Sequence, residues 1–220
     1  MNEVLRNTNF HTTETILLFS ALVSLTLAKL MNEQKFQAFI MLFINYKYLK
    51  IYSKEGNQST SVFNFFLFIP QLVCLSLIVW ITVEFLDFPL TINPYLILPF
   101  LFLFILFKFY LEKIIATIFD ILPFVESFHF HKVTYRNLSA LVLLPLISLF
   151  IYSDLRGNIV FYIIILTFLS LNTISTVLTL RNHQKLIGKY LFYFILYLCA
   201  LEIAPYLILI KFYFIDKASN

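Results

Sequence analysis

Glycine is nearly missing from this chain, with three residues in 220, at Gly56, Gly157 and Gly188. None of them falls inside a long apolar run. That excludes the close GxxxG helix crossing and the glycine-broken half-helices of many transporter sites. Helix contacts must then rest on large side chains, or on Ala and Ser. Charge is scarce too: only 13% of the residues are Asp, Glu, Lys or Arg, about half of what a soluble domain carries on its surface. Cysteine occurs twice, as Cys74 and Cys199, both within apolar runs. This spacing excludes a disulfide framework and a cysteine metal site, and leaves two structural thiols. The sequence also lacks HExxH, GxGxxG, Walker, GxSxG and DxD patterns, so no enzyme signature is legible. No cofactor is implied.

What is present is apolar length. Sixty per cent of the residues are hydrophobic and the mean hydropathy is +0.87. A globule of this size cannot bury that much apolar helix, so lipid must cover it. A membrane helix needs about 20 apolar residues, and the runs near 15–30, 62–83, 94–113, 138–152, 159–180 and 190–210 meet or approach that length. The expectation is an all-α polytopic membrane protein, one integral domain over 1–220 with about six transmembrane helices. The opening Met1-Asn2-Glu3, with Arg6 its one basic residue, reads as leading into a retained span rather than a cleaved signal.

Basic residues orient the spans. Lys29, Lys35, Lys47, Lys50, Lys54, Lys108, Lys113, Lys132, Arg136, Arg181, Lys185 and Lys189 follow the first, third and fifth runs. Arg6, Arg156, Lys211 and Lys217 lie on the other side, together with the acidic Glu84 and Asp87. The expected topology has both termini periplasmic and the basic segments in the cytoplasm. The net charge of +4 follows from this bias, so no nucleic-acid partner is implied. Two cytoplasmic segments, 36–52 and 114–130, are apolar with basic flanks and too short to span. They are expected as interfacial helices, the second broken by Pro123.

Polar residues inside apolar runs are the candidate sites. Glu202 lies 13 residues beyond Lys189, roughly 20 Å along a helix. A carboxylate at that depth faces protein rather than lipid. It reads first as a hydrogen-bonding group between helices, and second as an ion- or proton-handling group. Asn172, Ser175, Thr176 and Thr179 form a polar stripe on the fifth run that could meet it, and Gln71 follows Pro70 in the second. Lys108 is expected to snorkel towards the cytoplasm or pair with Glu112, four residues on. The stretch Phe128-His129-Phe130-His131-Lys132-Val133-Thr134-Tyr135-Arg136-Asn137 is the richest polar cluster. Histidines two apart do not share a helical face, and no second His or Cys group stands at metal spacing, so no metal is expected. The cluster reads as an interfacial turn in which His129, His131, Lys132 and Arg136 contact lipid phosphates or a partner, as Lys47 and Lys50 do in the first interfacial segment.

The run FHFHKVTYRN leading into LVLLPLISLFIY, and the last span KYLFYFILYLCALEIAPYLILIK around Glu202 and Pro205, resemble an uncharacterised family of multi-spanning membrane proteins from Bacteroidota. The resemblance covers residues 15–212. It implies residence in the inner membrane of a Gram-negative bacterium and no established activity. The residues and this resemblance together lead to a small inner-membrane subunit. It would have no catalysis of its own and would scaffold or support a larger secretion, export or respiratory complex through other membrane subunits and the bilayer. The alternatives are a proton- or solute-coupled transporter centred on Glu202, and a membrane enzyme acting on lipid or isoprenoid.

Overall fold

A computed structural model describes residues 12–43, 45, 47–52, 62–85, 94–118, 120–153 and 158–182. All regular structure among them is helical: α1 (Thr12–Met31), α2 (Glu33–Ile40), a 3-10 turn (Met41–Phe43), α3 (Lys47–Tyr52), α4 (Val62–Phe85), α5 (Pro94–Ile118), α6 (Leu122–Tyr152) and α7 (Asn158–Asn182). Five of these, α1 and α4 to α7, are long and apolar enough to cross a membrane. The expected sixth span, 190–210, lies outside the described residues, as do Glu202 and Cys199.

The helices alternate in direction. Tyr152 at the end of α6 donates a hydrogen bond to Thr15 at the start of α1, at 2.7 Å. Phe85, closing α4, stacks on Phe161, opening α7, with ring centroids 3.9 Å apart. α4 and α6 form the centre, each about half buried, whereas α5 and α7 flank them and are mostly exposed. Apolar side chains of α1, α4, α6 and α7 make the main core, among them Ala21, Leu77, Ile147 and Ile164.

Where glycine is missing, alanine and serine supply the close contacts. Ala21, Ser24 and Ala28 fall on the buried stripe of α1 that packs on α4. Ser24 does more than fill space. Pro70 has no N–H to donate to the carbonyl four residues back, and that carbonyl, Phe66 O, accepts from Ser24 Oγ at 2.6 Å. A helix-breaking residue is thereby accommodated inside a continuous helix by its neighbour.

The segment 36–52 is not the single interfacial helix that its sequence suggested. Asn32 stops α1 and caps α2, its side chain accepting from Lys35 N. The chain then turns through the 3-10 turn into α3, and Phe39, Leu42, Tyr48 and Leu49 are buried against Ala28, Phe63, Leu67 and Phe130. The Lys35 ammonium sits 4.8 Å from the Tyr52 ring centroid and 5.2 Å from that of Phe63. This small cap packs against one end of the bundle.

A second correction concerns 114–130. No separate helix exists there. α5 continues to Ile118 and α6 starts at Leu122, so the segment forms the tip of a helical hairpin. Asp120 takes the left-handed conformation, with φ of 53°, which Asp tolerates better than most residues. Its N–H bonds Thr117 O at 3.3 Å, and that of Ile121 bonds Ala116 O at 3.0 Å. This pair is the Schellman pattern that ends a helix. Pro123 does not break a helix; it occupies the first turn of α6, where its missing N–H has no helical partner to lose. The FHFHKVTYRN stretch is therefore mid-helix in a 31-residue α6, not a turn. At about 46 Å long, α6 exceeds a hydrocarbon core of about 30 Å.

Candidate functional site

The hairpin register decides which polar residues meet. Counting back from the turn along both helices, position 112 comes opposite 129 and position 108 opposite 132. Glu112, only 3% exposed, has its Oε2 2.9 Å from His129 Nδ1. The Phe109 ring lies 5.0 Å from that of His129. On α6, His129, Lys132 and Arg136 stand at i, i+3 and i+7, one face of a helix. On α5, Lys108 and Glu112 are four apart and share a face in the same way. Lys132 lies within Coulombic range of Arg136, Lys108 and Glu112, and Lys108 within range of Arg136 and Glu112. The result is a cluster of three basic side chains around one carboxylate that also contacts a histidine. Lys108, Lys132 and Arg136 are each half-buried, so the cluster opens at the flank of the hairpin.

Sequence reasoning singled out His129, Lys132 and Arg136 and, separately, Lys108 and Glu112 on α5, but did not bring the two groups together. Glu112, expected to pair with Lys108 along its own helix, lies within Coulombic range of it and also reaches across to His129. The missed signal was the turn at Asp120, which folds α5 back onto α6. His131 points elsewhere: it is buried, with its ring edge-on to Phe130 at 6.2 Å, on the side of α6 that contributes Phe130, Tyr135 and Leu138 to the cap. Lys47 and Lys50 both belong to α3; Lys50 is exposed, and the Lys47 side chain lies outside the described residues.

Gln71 and Asn172 do come together. With Arg136, Ser139 and Cys74 they line a cavity of about 20 Å³ between α4, α6 and α7, room for about one water. Gln71 is 5% exposed, and its Oε1 has no hydrogen-bond partner among the described residues. Asn172 Nδ2 donates to Phe168 O at 2.9 Å. The stripe on α7 divides: Ser175 and Thr179 are buried and Thr176 is exposed. Thr176 and Thr179 each bond the carbonyl four residues back, at 2.9 and 2.8 Å. Glu202, its expected partner, lies outside the described residues. Arg136 thus belongs both to the hairpin cluster and to this cavity. Among the described residues, no group of three His, Cys, Asp or Glu side chains could hold a metal ion.

A family model described as a domain of unknown function (DUF4271) matches residues 15–213. No curated protein and no solved structure matches the chain.

Proposed function

The chain belongs to the family described as a domain of unknown function (DUF4271), and from that premise we propose that it is a multi-pass subunit of the bacterial inner membrane. It catalyses nothing itself and supports a larger secretion, export or respiratory complex through contacts with other membrane subunits. The observation that carries this reading is the outward face of α7. Ser170, Thr173 and Thr176 are exposed at three-residue spacing, among exposed Leu166, Leu169, Ile174 and Val177, while Ile164, Ser175 and Thr179 face inward. Their hydroxyls bond their own helix. Even so, small hydroxyl residues let a second transmembrane helix approach closely and accept its hydrogen bonds, a use that lipid alone does not have for them. The basic residues on the two helices that flank the hairpin turn, Lys108, Lys113, Lys132 and Arg136, support the orientation with that end cytoplasmic and the termini periplasmic. Co-purification in mild detergent tests the proposal. A stoichiometric membrane partner should come with the natural chain and be lost from a Ser170→Leu, Thr173→Leu, Thr176→Leu variant that still accumulates. A chain that purifies alone, with both variants behaving alike, would sink it.

The second reading, a proton- or solute-coupled transporter, draws on the cavity among Gln71, Arg136 and Asn172. Glu202→Gln keeps the hydrogen bond without the charge, so a structural role should tolerate it and reject Glu202→Leu. If proton coupling is the function, both variants should assemble and both should be inactive.

A further inference from the structure

The end of the bundle opposite the hairpin turn holds a larger cavity. It measures about 270 Å³ and is lined by Trp80, Ile81, Glu84, Phe85, Phe150 and Ile151, from the C-terminal ends of α4 and α6. Both helices bring the negative ends of their dipoles to this level, and neither has a basic residue in its last turn. The one charged group of the lining is the Glu84 carboxylate, which is exposed. These features favour a cation, and none of the six lining residues supplies one. The rest of the lining says which kind. A bare metal ion asks for several oxygen ligands, and a single carboxylate among apolar side chains does not provide them. Trp80, Phe85 and Phe150 are aromatic, and aromatic faces attract ammonium groups together with the carbon bound to them. Phe85 is fixed as one wall by its stacking on Phe161. The volume falls just below the roughly 300–1,000 Å³ of sites for drug-sized molecules, which leaves room for an ammonium group and a few carbons.

We propose that this cavity is a binding site for an organic ammonium ion, with Glu84 balancing its charge at the mouth and Trp80, Phe85 and Phe150 enclosing its carbon substituents. The ends of two long apolar helices stand at the level of lipid headgroups. The ammonium group therefore comes either from such a headgroup or from a small soluble cation, and the same side chains recognise both. The site does not depend on the subunit role proposed above.

Trp80 is the one tryptophan of the chain, so its fluorescence reports on this cavity directly. The full-length chain in a maltoside detergent is titrated with choline, and with the uncharged alcohol in which carbon replaces the choline nitrogen. Choline should give a saturable change, and the alcohol should bind about five-fold more weakly or not at all. Glu84→Gln keeps the side-chain shape without the charge and should weaken choline about five-fold. Phe150→Leu keeps an apolar wall but removes a ring, and should weaken it about three-fold. Glu126→Gln, at an exposed acid near the other end of α6, should change nothing. Helix content by circular dichroism confirms that each variant is folded. Phosphatidylethanolamine added to the micelles separates the two sources. A change that phosphatidylglycerol of the same acyl chains does not give places a lipid headgroup in the site, and a change with choline alone makes the ligand a soluble cation. Equal binding of choline and its uncharged counterpart would overturn the proposal, because a merely apolar pocket behaves that way. So would choline binding that Glu84→Gln leaves unchanged, a loss at Glu126→Gln as large as at Glu84→Gln, or no saturable change with either choline or phosphatidylethanolamine.

Discussion

Replacing Ser24 by Ala should cost about 1 kcal/mol of stability, and should cost almost nothing once Pro70 is also replaced by Ala. Ser24 Oγ donates to Phe66 O at 2.6 Å, and Ser24 is buried. In the natural chain that carbonyl has no helical donor, because Pro70 occupies the position that would supply one. Removing the hydroxyl leaves a buried carbonyl without its partner, a loss of about 1–3 kcal/mol in a soluble core. Interhelical hydrogen bonds in membranes average about 0.6 kcal/mol and reach about 1.7, so about 1 kcal/mol is the expected figure. With Ala at position 70, a backbone N–H returns four residues beyond Phe66 and closes the helical bond. Ser24→Ala should then cost only a few tenths of a kcal/mol. The assay is a double-mutant cycle on equilibrium unfolding in mixed micelles, with an expected coupling of about 0.7 kcal/mol, above the usual additivity error of about 0.3–0.5. Equal costs of Ser24→Ala in both backgrounds would refute the reasoning. The serine would then be filling space only, and the carbonyl would be satisfied by other means.

Two further outcomes follow from the topology and the hairpin. A cysteine placed at Asp87 or Lys217 should react with an impermeant thiol reagent added to intact spheroplasts, and one at Gln58 should not. Labelling at Gln58 alone would reverse the orientation, and labelling at both Gln58 and Lys217 would overturn an even number of spans. Glu112→Leu should lower stability by about 2 kcal/mol, a buried-pair loss discounted for the partial exposure of its partners. Adding Lys108→Met should recover part of it, because one repelling cation is gone. Unfolding midpoints and protein level check this, and a Glu112→Leu chain as stable as the natural one would show that the carboxylate balances nothing.

The helical class and the positions of five long apolar helices were legible in the sequence because transfer from water to lipid is nearly a sum over local composition. A run such as 62–83 reads as apolar whatever lies next to it, and the structure has α4 at Val62–Phe85. The use of Ala and Ser where glycine is absent was also legible, since packing distance depends on side-chain size alone. The hairpin was not. Pro123 looked like an interruption because proline breaks helices in their interior, yet in a first turn it removes no bond. Asp120 gave no strong stop signal because glycine usually fills that left-handed position. Once the turn was missed, Lys108 and Glu112 were read only along their own helix, four apart, and not across to His129 on α6. Likewise, no periodicity along α4 or α7 could show that Gln71 and Asn172 line one cavity with Arg136. Apolar length is a property of each segment, so the sequence determined which helices are long and apolar enough to cross a membrane. A contact between helices depends on where each helix stops and how far it slides past its neighbour, so tertiary structure alone decided that Glu112 meets His129 and that three basic side chains share one flank.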